Sequence, residues 1–409
     1  MKKTVLMIGT FDTKPLEFAF LRQELLRHDL NVLSLNAGTM PGEVPFPVDF
    51  DAEAVAALGG STLEALRRNR DRGAAVTVMC AGASAAAQRL SAEGKIDGLI
   101  GMGGGGGTSI ATAAMSAIPI GVPKLCISTL ASGNTRPFIG GKDILLFPSI
   151  VDISGLNPFS RRILSNAAAA LAGMVVNTPP EMSAQKQTVL VSMFGNSTAG
   201  GNACVRLLEE AGFDTMVFHA VGTGGESLEE LVRGGYASAV LDLTTTEWAD
   251  ELCGGIFPAG PSRLDAPGEM GIPHLIVPGC IDMVNFEGSD TVPPVYRDRK
   301  LFHWSPQATL MRTTPEENAA LGRIFAKKAN RAPKTTAFLI PLGGFSELGR
   351  QGGAFCDPAA DQAFCQALAA DLSPEIPLQT SPLNINDPAF AQQAVALLLE
   401  MLQHNTEKG

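Results

Sequence analysis

The chain has no Cys-x-x-Cys pair, and its seven cysteines (Cys80, Cys126, Cys204, Cys253, Cys280, Cys356 and Cys365) lie far apart. That spacing excludes the usual structural zinc sites, and the odd number fits reduced, mostly buried thiols rather than a disulfide framework. Nor is there an apolar run approaching the ~20 residues of a membrane-crossing helix. Met1-Lys2-Lys3 leads directly into a strand pattern, without the apolar stretch of a secretory signal. A cytoplasmic protein without membrane contact is therefore expected. Basic side chains are not in excess either: 31 Lys and Arg against 41 Asp and Glu leave a net charge of −10. This argues against nucleic acid as a partner, because a basic face is the footprint of such binding. Local clusters such as Arg67-Arg68-Asn69-Arg70 and Arg161-Arg162 read as solvated helix faces. Aromatic residues are scarce at 6% and charged ones low at 18%, while hydrophobic residues reach 45%. That balance suits α/β layers whose strands are buried on both faces.

A length of 409 residues exceeds one ordinary core and predicts two domains. The chain in fact starts twice. Strand Thr4–Gly9, the polar turn Thr10–Pro15, a helix over 16–28 and strand Asn31–Asn36 are echoed downstream. There, strand Thr188–Met193 leads to the turn Phe194–Thr198, a helix to about residue 211 and strand Asp214–His219. The Pro-containing segment 176–187 separates the two, which sets domains at 1–182 and 183–409. Further strands are predicted at Ala74–Met79, Ile96–Ile100 and Pro123–Ser128, then at Ala239–Leu243, His274–Pro278 and Thr335–Ile340. A closing helix is predicted over Phe390–Gln403. The fold class is α/β, with two Rossmann-like subdomains, each an open and mostly parallel sheet flanked by helices.

Between the strand at Ile96–Ile100 and a helix starting near Ser109 stand five consecutive glycines, Gly103–Gly107, followed by Thr108. Ordering glycine is entropically costly. A turn without side chains lets backbone N–H groups approach an anion at the positive end of a helix, and phosphate is the usual occupant. The run is not a P-loop, which needs Lys after its last glycine. A dinucleotide fingerprint forced onto Gly101, Gly103 and Gly106 lacks its downstream acid.

Ligands of open α/β sheets bind beyond the carboxyl ends of the strands. In the first half, polar residues gather there at Thr10–Lys14, Cys80–Ser84, the glycine run and Thr129–Arg136. Asp12, Thr13 and Lys14 offer a carboxylate and hydroxyl for magnesium and a cation for phosphate, or a plain helix cap. Arg136 and Lys142 could pair with phosphate, carboxylate or neighbouring side chains. In the second half the strand ends carry Asn196–Thr198, Asp242–Glu247, Cys280–Asp282 and Ser346. Cys280 fits an inert thiol better than a nucleophile. His303 is the best placed histidine for proton transfer, and Arg312 is a candidate anion clamp.

Gly9–Lys14, Gly101–Thr108, Ser128–Gly133 and Pro278–Met283 together resemble the Tm-1-like ATP-binding family. That family is named for a plant resistance protein acting on tobamovirus RNA replication, and the resemblance covers nearly the whole chain. It implies a homodimer and ATP with magnesium bound in the first subdomain, with Asp12, Thr13, Lys14 and the glycine run at the nucleotide. It supplies no reaction. Candidate nucleotide contacts are thus Thr10, Phe11, Asp12, Thr13, Lys14, Gly82, Gly103, Gly104, Gly105, Gly106, Gly107 and Thr108, with Asp12 also towards magnesium. His303, Arg312 and Ser346 are candidates for a second, unidentified small-molecule substrate. The expected function is ATP-dependent chemistry, such as a kinase or ligase acting on a hydroxy or sugar acid. A nucleotide sensor without turnover, and an ATP-independent hydrolase, isomerase or lyase holding a substrate phosphate, remain as alternatives.

Overall fold

The computed structural model describes residues 2–177 and 186–406. The chain divides into two compact units, residues 1–182 and 183–409. The point of division expected near residue 182 lies outside the described residues.

The first unit is a five-stranded parallel sheet ordered β2-β1-β3-β4-β5. Its strands are β1 (Thr4–Gly9), β2 (Asn31–Asn36), β3 (Gly98–Gly103), β4 (Lys124–Ser128) and β5 (Leu145–Pro148). Its helices are α1 (Pro15–Arg27), α2 (Ala52–Leu58), α3 (Leu63–Asn69), α4 (Arg72–Ala92), α5 (Gly105–Ser116), α6 (Arg136–Ile139) and α7 (Pro158–Val176). Alternate residues of each strand feed opposite faces, as the period-2 geometry of a strand requires. Leu6, Ile8, Leu35 and Leu99 pack with Val55, Met79 and Ile110 of α2, α4 and α5. Val5, Met7, Ile100 and Ile127 pack with Phe18, Leu25, Leu164 and Leu171 of α1 and α7. From β1 the chain moves outward to β2, then crosses back to β3 on the other side of β1. The gap between the carboxyl ends of β1 and β3 is therefore the topological switch point of this sheet, where open α/β folds bind their ligands.

The second unit has a six-stranded parallel sheet ordered β14-β13-β9-β8-β6-β7 and a three-stranded antiparallel sheet ordered β10-β12-β11. Its strands are β6 (Thr188–Met193), β7 (Asp214–His219), β8 (Ala239–Asp242), β9 (His274–Ile276), β10 (Met283–Phe286), β11 (Leu301–Ser305), β12 (Ala308–Arg312), β13 (Thr336–Pro341) and β14 (Leu378–Ser381). Its helices are α8 (Thr198–Glu210), α9 (Thr223–Arg233), α10 (Glu247–Cys253), α11 (Ala266–Glu269), α12 (Pro315–Ala329), α13 (Pro358–Asp371) and α14 (Pro388–Thr406). Among the described residues no helix is long and apolar enough to cross a membrane.

Three expectations need correction. Ala74–Met79 is not a strand but part of α4, whose N-cap Asp71 accepts a hydrogen bond from the Ala74 amide. The alanine-rich stretch that follows carries a favourable helix composition that outweighs the scattered valines. Cys80–Ser84 therefore lies in mid-helix and not at a strand end. The strand before the glycine run extends to Gly103, and the helix after it begins at Gly105 rather than Ser109. The antiparallel sheet, β5 and β14 had no counterpart in the sequence reading.

Candidate functional site

A cavity of about 920 Å³ opens at the switch point between β1 and β3, within the range of small-molecule sites. Its walls come from the turn after β1 (Thr10, Asp12, Thr13, Lys14), the loop after β2 (Ala37, Thr39, Met40, Pro41) and the glycine turn after β3. Leu66 of α3, Ala75, Val76 and Met79 of α4 and Ile110 of α5 make an apolar floor.

The five glycines differ in what they do. A Cβ on Gly103 would lie 2.7 Å from the Gly107 Cα, and one on Gly107 would lie 3.1 Å from the Met102 carbonyl oxygen. Those two, with Gly101 against Ala111, let α5 press against β3. Gly104 and Gly106 would meet only ordinary contacts at 3.5–3.6 Å, and Gly105 would meet nothing within 4 Å. None of the five has a positive φ. Neither packing nor backbone conformation therefore demands glycine at 104–106. Gly104 is the N-cap of α5 and provides no side-chain cap, so the first-turn amides of Gly105, Gly106 and Gly107 keep the unsatisfied donors of a helix start. These donors sit in the cavity wall.

A second helix begins there. Lys14 is the N-cap of α1, with Pro15 behind it and no side-chain cap. The idea that Asp12 or Thr13 serves only to cap α1 is thereby overturned. Asp12 instead accepts a hydrogen bond from the Met40 amide at 2.7 Å through Oδ2, while its Oδ1 is buried without a partner. An orphaned carboxylate oxygen in a cavity wall suits a magnesium ion, which typically takes one or two carboxylates and completes its shell with phosphate and water. Among the described residues no group of three or more His, Cys, Asp or Glu could cage a metal, so such an ion would depend on its ligand's oxygens. The Lys14 ammonium lines the cavity and donates to the Ile153 carbonyl. The Thr10 and Thr13 hydroxyls are 3.0 Å apart and close the turn between them.

The rim carries cations, two of which, Arg67 and Arg70, belong to the basic run expected to be a solvated helix face. Arg67, Arg70 and Arg72 all border the cavity. Arg70 stands at the C-cap of α3 in the left-handed conformation (φ 52°), a place where glycine is the relaxed choice. A basic run closing one helix immediately before the Asp71 N-cap of the next was the signal available. Asp71 and Asp152 also border the cavity and temper its charge.

Three candidate contacts lie elsewhere. Phe11 is fully buried and packs on Phe18 and Phe46, with centroids 4.8 and 5.0 Å away. Thr108 is fully buried, its hydroxyl 2.7 Å from that of Ser128, so it joins α5 to β4 instead of facing the cavity. Gly82 is where α4 crosses α2, and a Cβ there would lie 1.9 Å from the Val55 carbonyl oxygen. Its glycine is a packing requirement.

In the second unit, Ser346 is fully buried and donates to Asp282 at 2.6 Å. Arg312 is buried too, and its guanidinium is occupied by the carbonyls of Phe355, Asp357 and Thr313, the Thr313 hydroxyl and the Asp361 carboxylate. It is a structural tie and not an open anion clamp. His303 lies exposed on β11, beside Ser289, Ser305 and Pro306 in a shallow cleft. Arg312 and Ser346 both act on Asp282, whereas His303 is not with them. Cys280 is buried at φ 57°, and burial together with the Asp282 carboxylate pushes its thiol well above the ordinary range. No thiolate nucleophile is available there at neutral pH.

Comparison with known proteins follows the same division of the chain. The N-terminal domain of the uncharacterised protein family UPF0261 matches residues 3–180, and its C-terminal domain matches residues 186–402. A UPF0261 protein of Clostridium tetani is 44% identical over 98% of this chain and 100% of its own. One of Rhizobium meliloti is 43% identical over 96% and 98%. The ToMV resistance protein Tm-1(GCR237) of Solanum lycopersicum is 39% identical over 97% of this chain, which spans 55% of the tomato protein.

Proposed function

We propose that this chain, which belongs to the UPF0261 family, binds the polyphosphate of a nucleotide, ATP with magnesium, in the cavity of its first unit. One observation carries this: Gly104, Gly105 and Gly106 have no packing or conformational reason to be glycine, yet they present uncapped helix amides to a cavity of nucleotide size. A missing side chain with nothing against it leaves room for something to approach the main chain. Backbone N–H groups at a helix start favour phosphate oxygens through both hydrogen bonding and the helix dipole.

The surrounding groups fit the parts of such a ligand. Lys14 and the rim arginines offset phosphate charge, and arginine also suits bidentate contact. The orphaned Asp12 oxygen would hold magnesium, whose chemistry is to bridge and neutralise phosphate oxygens. The floor of Leu66, Ala75, Met79 and Ile110 would cover the nucleoside. This is a function of binding. The residues considered for a second substrate are either saturated by protein partners or apart from one another, so no turnover is assigned to them.

Titration calorimetry of the full chain with ATP and magnesium is the direct test. A saturable heat with one site supports the assignment, and no heat at millimolar ATP sinks it. If a sugar phosphate raises the melting temperature more than ATP does, the glycine turn serves a substrate phosphate instead. Ligand at 100 times its dissociation constant adds about 2.7 kcal/mol, which is readily seen. Lys14→Ala should weaken ATP by about ten- to a hundredfold, since a charge-assisted hydrogen bond contributes about 1.5–3 kcal/mol. Adenosine, which carries no phosphate charge, should bind the variant and the parent alike. Equal losses for both ligands would place Lys14 away from the phosphates.

A further inference from the structure

We infer that Glu17 is a positioning residue for phosphate binding: it anchors the loop after β5, and that loop holds the Lys14 ammonium in the cavity wall. The inference rests on the nucleotide assignment above. Lys14 and Glu17 stand about one turn apart at the start of α1. An acid in the first turn of a helix is favoured by the helix dipole and needs no other reason to be there. Glu17 differs from such a surface acid. It is only 5% exposed, and its Oε1 accepts a hydrogen bond from the Gly155 amide, 138 residues further along the chain. Burying a carboxylate is costly unless it is hydrogen-bonded, so the pairing secures both partners.

The anchored loop, residues 149–155, has a conformation that is unfavourable locally. The Val151 amide donates to the Ser149 carbonyl at 2.7 Å, a three-residue turn centred on Ile150 at φ 63°. That hand of turn is the rare and strained one, and a β-branched residue at positive φ is an outlier. Ile150 is 71% exposed, so its own packing does not impose the strain. Ties to other elements hold the loop instead. The Ser149 amide donates to the Ser128 carbonyl of β4 at 3.2 Å, and Gly155 is held by Glu17. Between these ends, the Ile153 side chain is buried in the core layer of α1 and α7, and its amide donates to Asp152 Oδ1 at 2.8 Å. The Ile153 carbonyl then accepts from the Lys14 ammonium. An ammonium has three donors, so two are left for a ligand.

A lysine side chain has many rotamers, and a free one must be ordered when phosphate arrives. Tethering it at the cavity wall removes part of that cost beforehand, an advantage of about two- to tenfold in affinity for one such side chain. The advantage passes through Lys14 alone, and that makes it separable from any general effect of Glu17 on the fold.

Titration calorimetry of the full chain, with magnesium ATP and with adenosine, compares the parent, Glu17→Ala, Lys14→Ala and the double variant. Glu17→Ala is expected to weaken ATP by about two- to tenfold and to leave adenosine unchanged. In the Lys14→Ala background the same substitution should change ATP affinity by less than about twofold, because the group it positions is gone. An equal loss in both backgrounds, no loss in the first, or a matching loss for adenosine overturns the inference and leaves the nucleotide assignment standing. A parent that binds no ATP overturns that assignment, and the role of Glu17 falls with it. Should Glu17→Ala fail to fold, Glu17→Met, of similar length and without an acceptor, takes its place in the cycle. Glu17→Gln decides independently, since it keeps the acceptor and drops the charge. It should bind ATP at least as well as the parent, and a weakening of twofold or more, roughly the least expected of alanine, would assign the effect to charge and overturn the positioning role.

Discussion

Replacing Gly105 by valine is expected to abolish nucleotide binding and leave the first unit folded. A Cβ at this position meets no heavy atom within 4 Å, so the protein itself has room for a side chain. The backbone there is helical with no positive φ, which valine can adopt. Glycine is a poor helix former, by about 1 kcal/mol relative to alanine. A Gly105→Ala control should therefore melt no lower than the parent. The ligand has no comparable freedom. Phosphate oxygens must come to about 2.9 Å from the amides of the first turn, and the branched side chain would stand in that path. Loss of several such bonds together should raise the ATP dissociation constant at least a hundredfold, because each hydrogen bond to a charged group is worth about 1.5–3 kcal/mol. Two outcomes are separable by melting temperature and calorimetry. A folded Gly105→Val protein with parental ATP affinity removes the turn from the site. Gly103→Ala provides the opposite case. Its Cβ would press to 2.7 Å on the Gly107 backbone, so that variant should lose stability directly, whether or not nucleotide is present.

The same contrast explains how much of the site was legible beforehand. Strands β1, β2, β6 and β7 stand where their apolar runs and flanking turn residues put them, because each is a short buried segment between clear breakers. The turns after β1 and β3 fell on the correct edge once those strands were placed, since strand order and connection rules leave few alternatives. Which of the five glycines matter for a ligand could not be read, because that depends on what α5 packs against. Arg67 and Arg70 were passed over for the reverse reason. Arginine runs are ordinarily solvated, and only the turn from α3 to α4 brings these to the cavity rim. Thr108 and Phe11 neighbour cavity residues in sequence but are buried, Thr108 on the face of α5 that meets β4 and Phe11 against Phe18 and Phe46. Ala74–Met79 misled because two valines two positions apart suggest a strand, while the Asp71 cap and the long alanine stretch decide for helix. In the second unit Arg312 and Ser346 are tied to protein partners and help hold loops in place, whereas His303 is exposed on β11 apart from them.

Among those internal ties the one around Arg263 is predicted to matter most, and Arg263→Met should destabilise the second unit by about 3–5 kcal/mol, the range for breaking a buried ion pair from one side. Arg263 is almost wholly buried. Its guanidinium engages both oxygens of Asp242, meets Glu247 Oε2 at 2.7 Å and approaches Glu229 Oε1 at 3.4 Å. Methionine fills similar volume but leaves three carboxylates without their shared cation. Asp242 would keep His274 at 2.7 Å, Glu229 the amides of Leu264 and Ala266 with the half-buried Arg233 guanidinium 3.7 Å away, and Glu247 the amides of Gly222 and Gly225. Amides and these more distant or neutral groups do not replace a fully buried shared cation in such an interior. The pH dependence follows in sign. Burial opposes ionisation of Asp242, yet Arg263 and His274 hold its carboxyl well below the ordinary range. In the parent that contribution is present above the unfolded pKa near 4 and is lost only as pH falls through the depressed folded value. Burial already pushes Glu229 and Glu247 up despite Arg263, and without it all three carboxyls rise. The variant must then lose stability as pH climbs, so its deficit should widen from about pH 4 towards pH 7. Both tryptophans of the chain, Trp248 and Trp304, lie in this unit, so their fluorescence during urea unfolding reports it selectively. An unshifted midpoint at pH 7, or a deficit that shrinks as pH rises, would mean the three acids are not held by this cation.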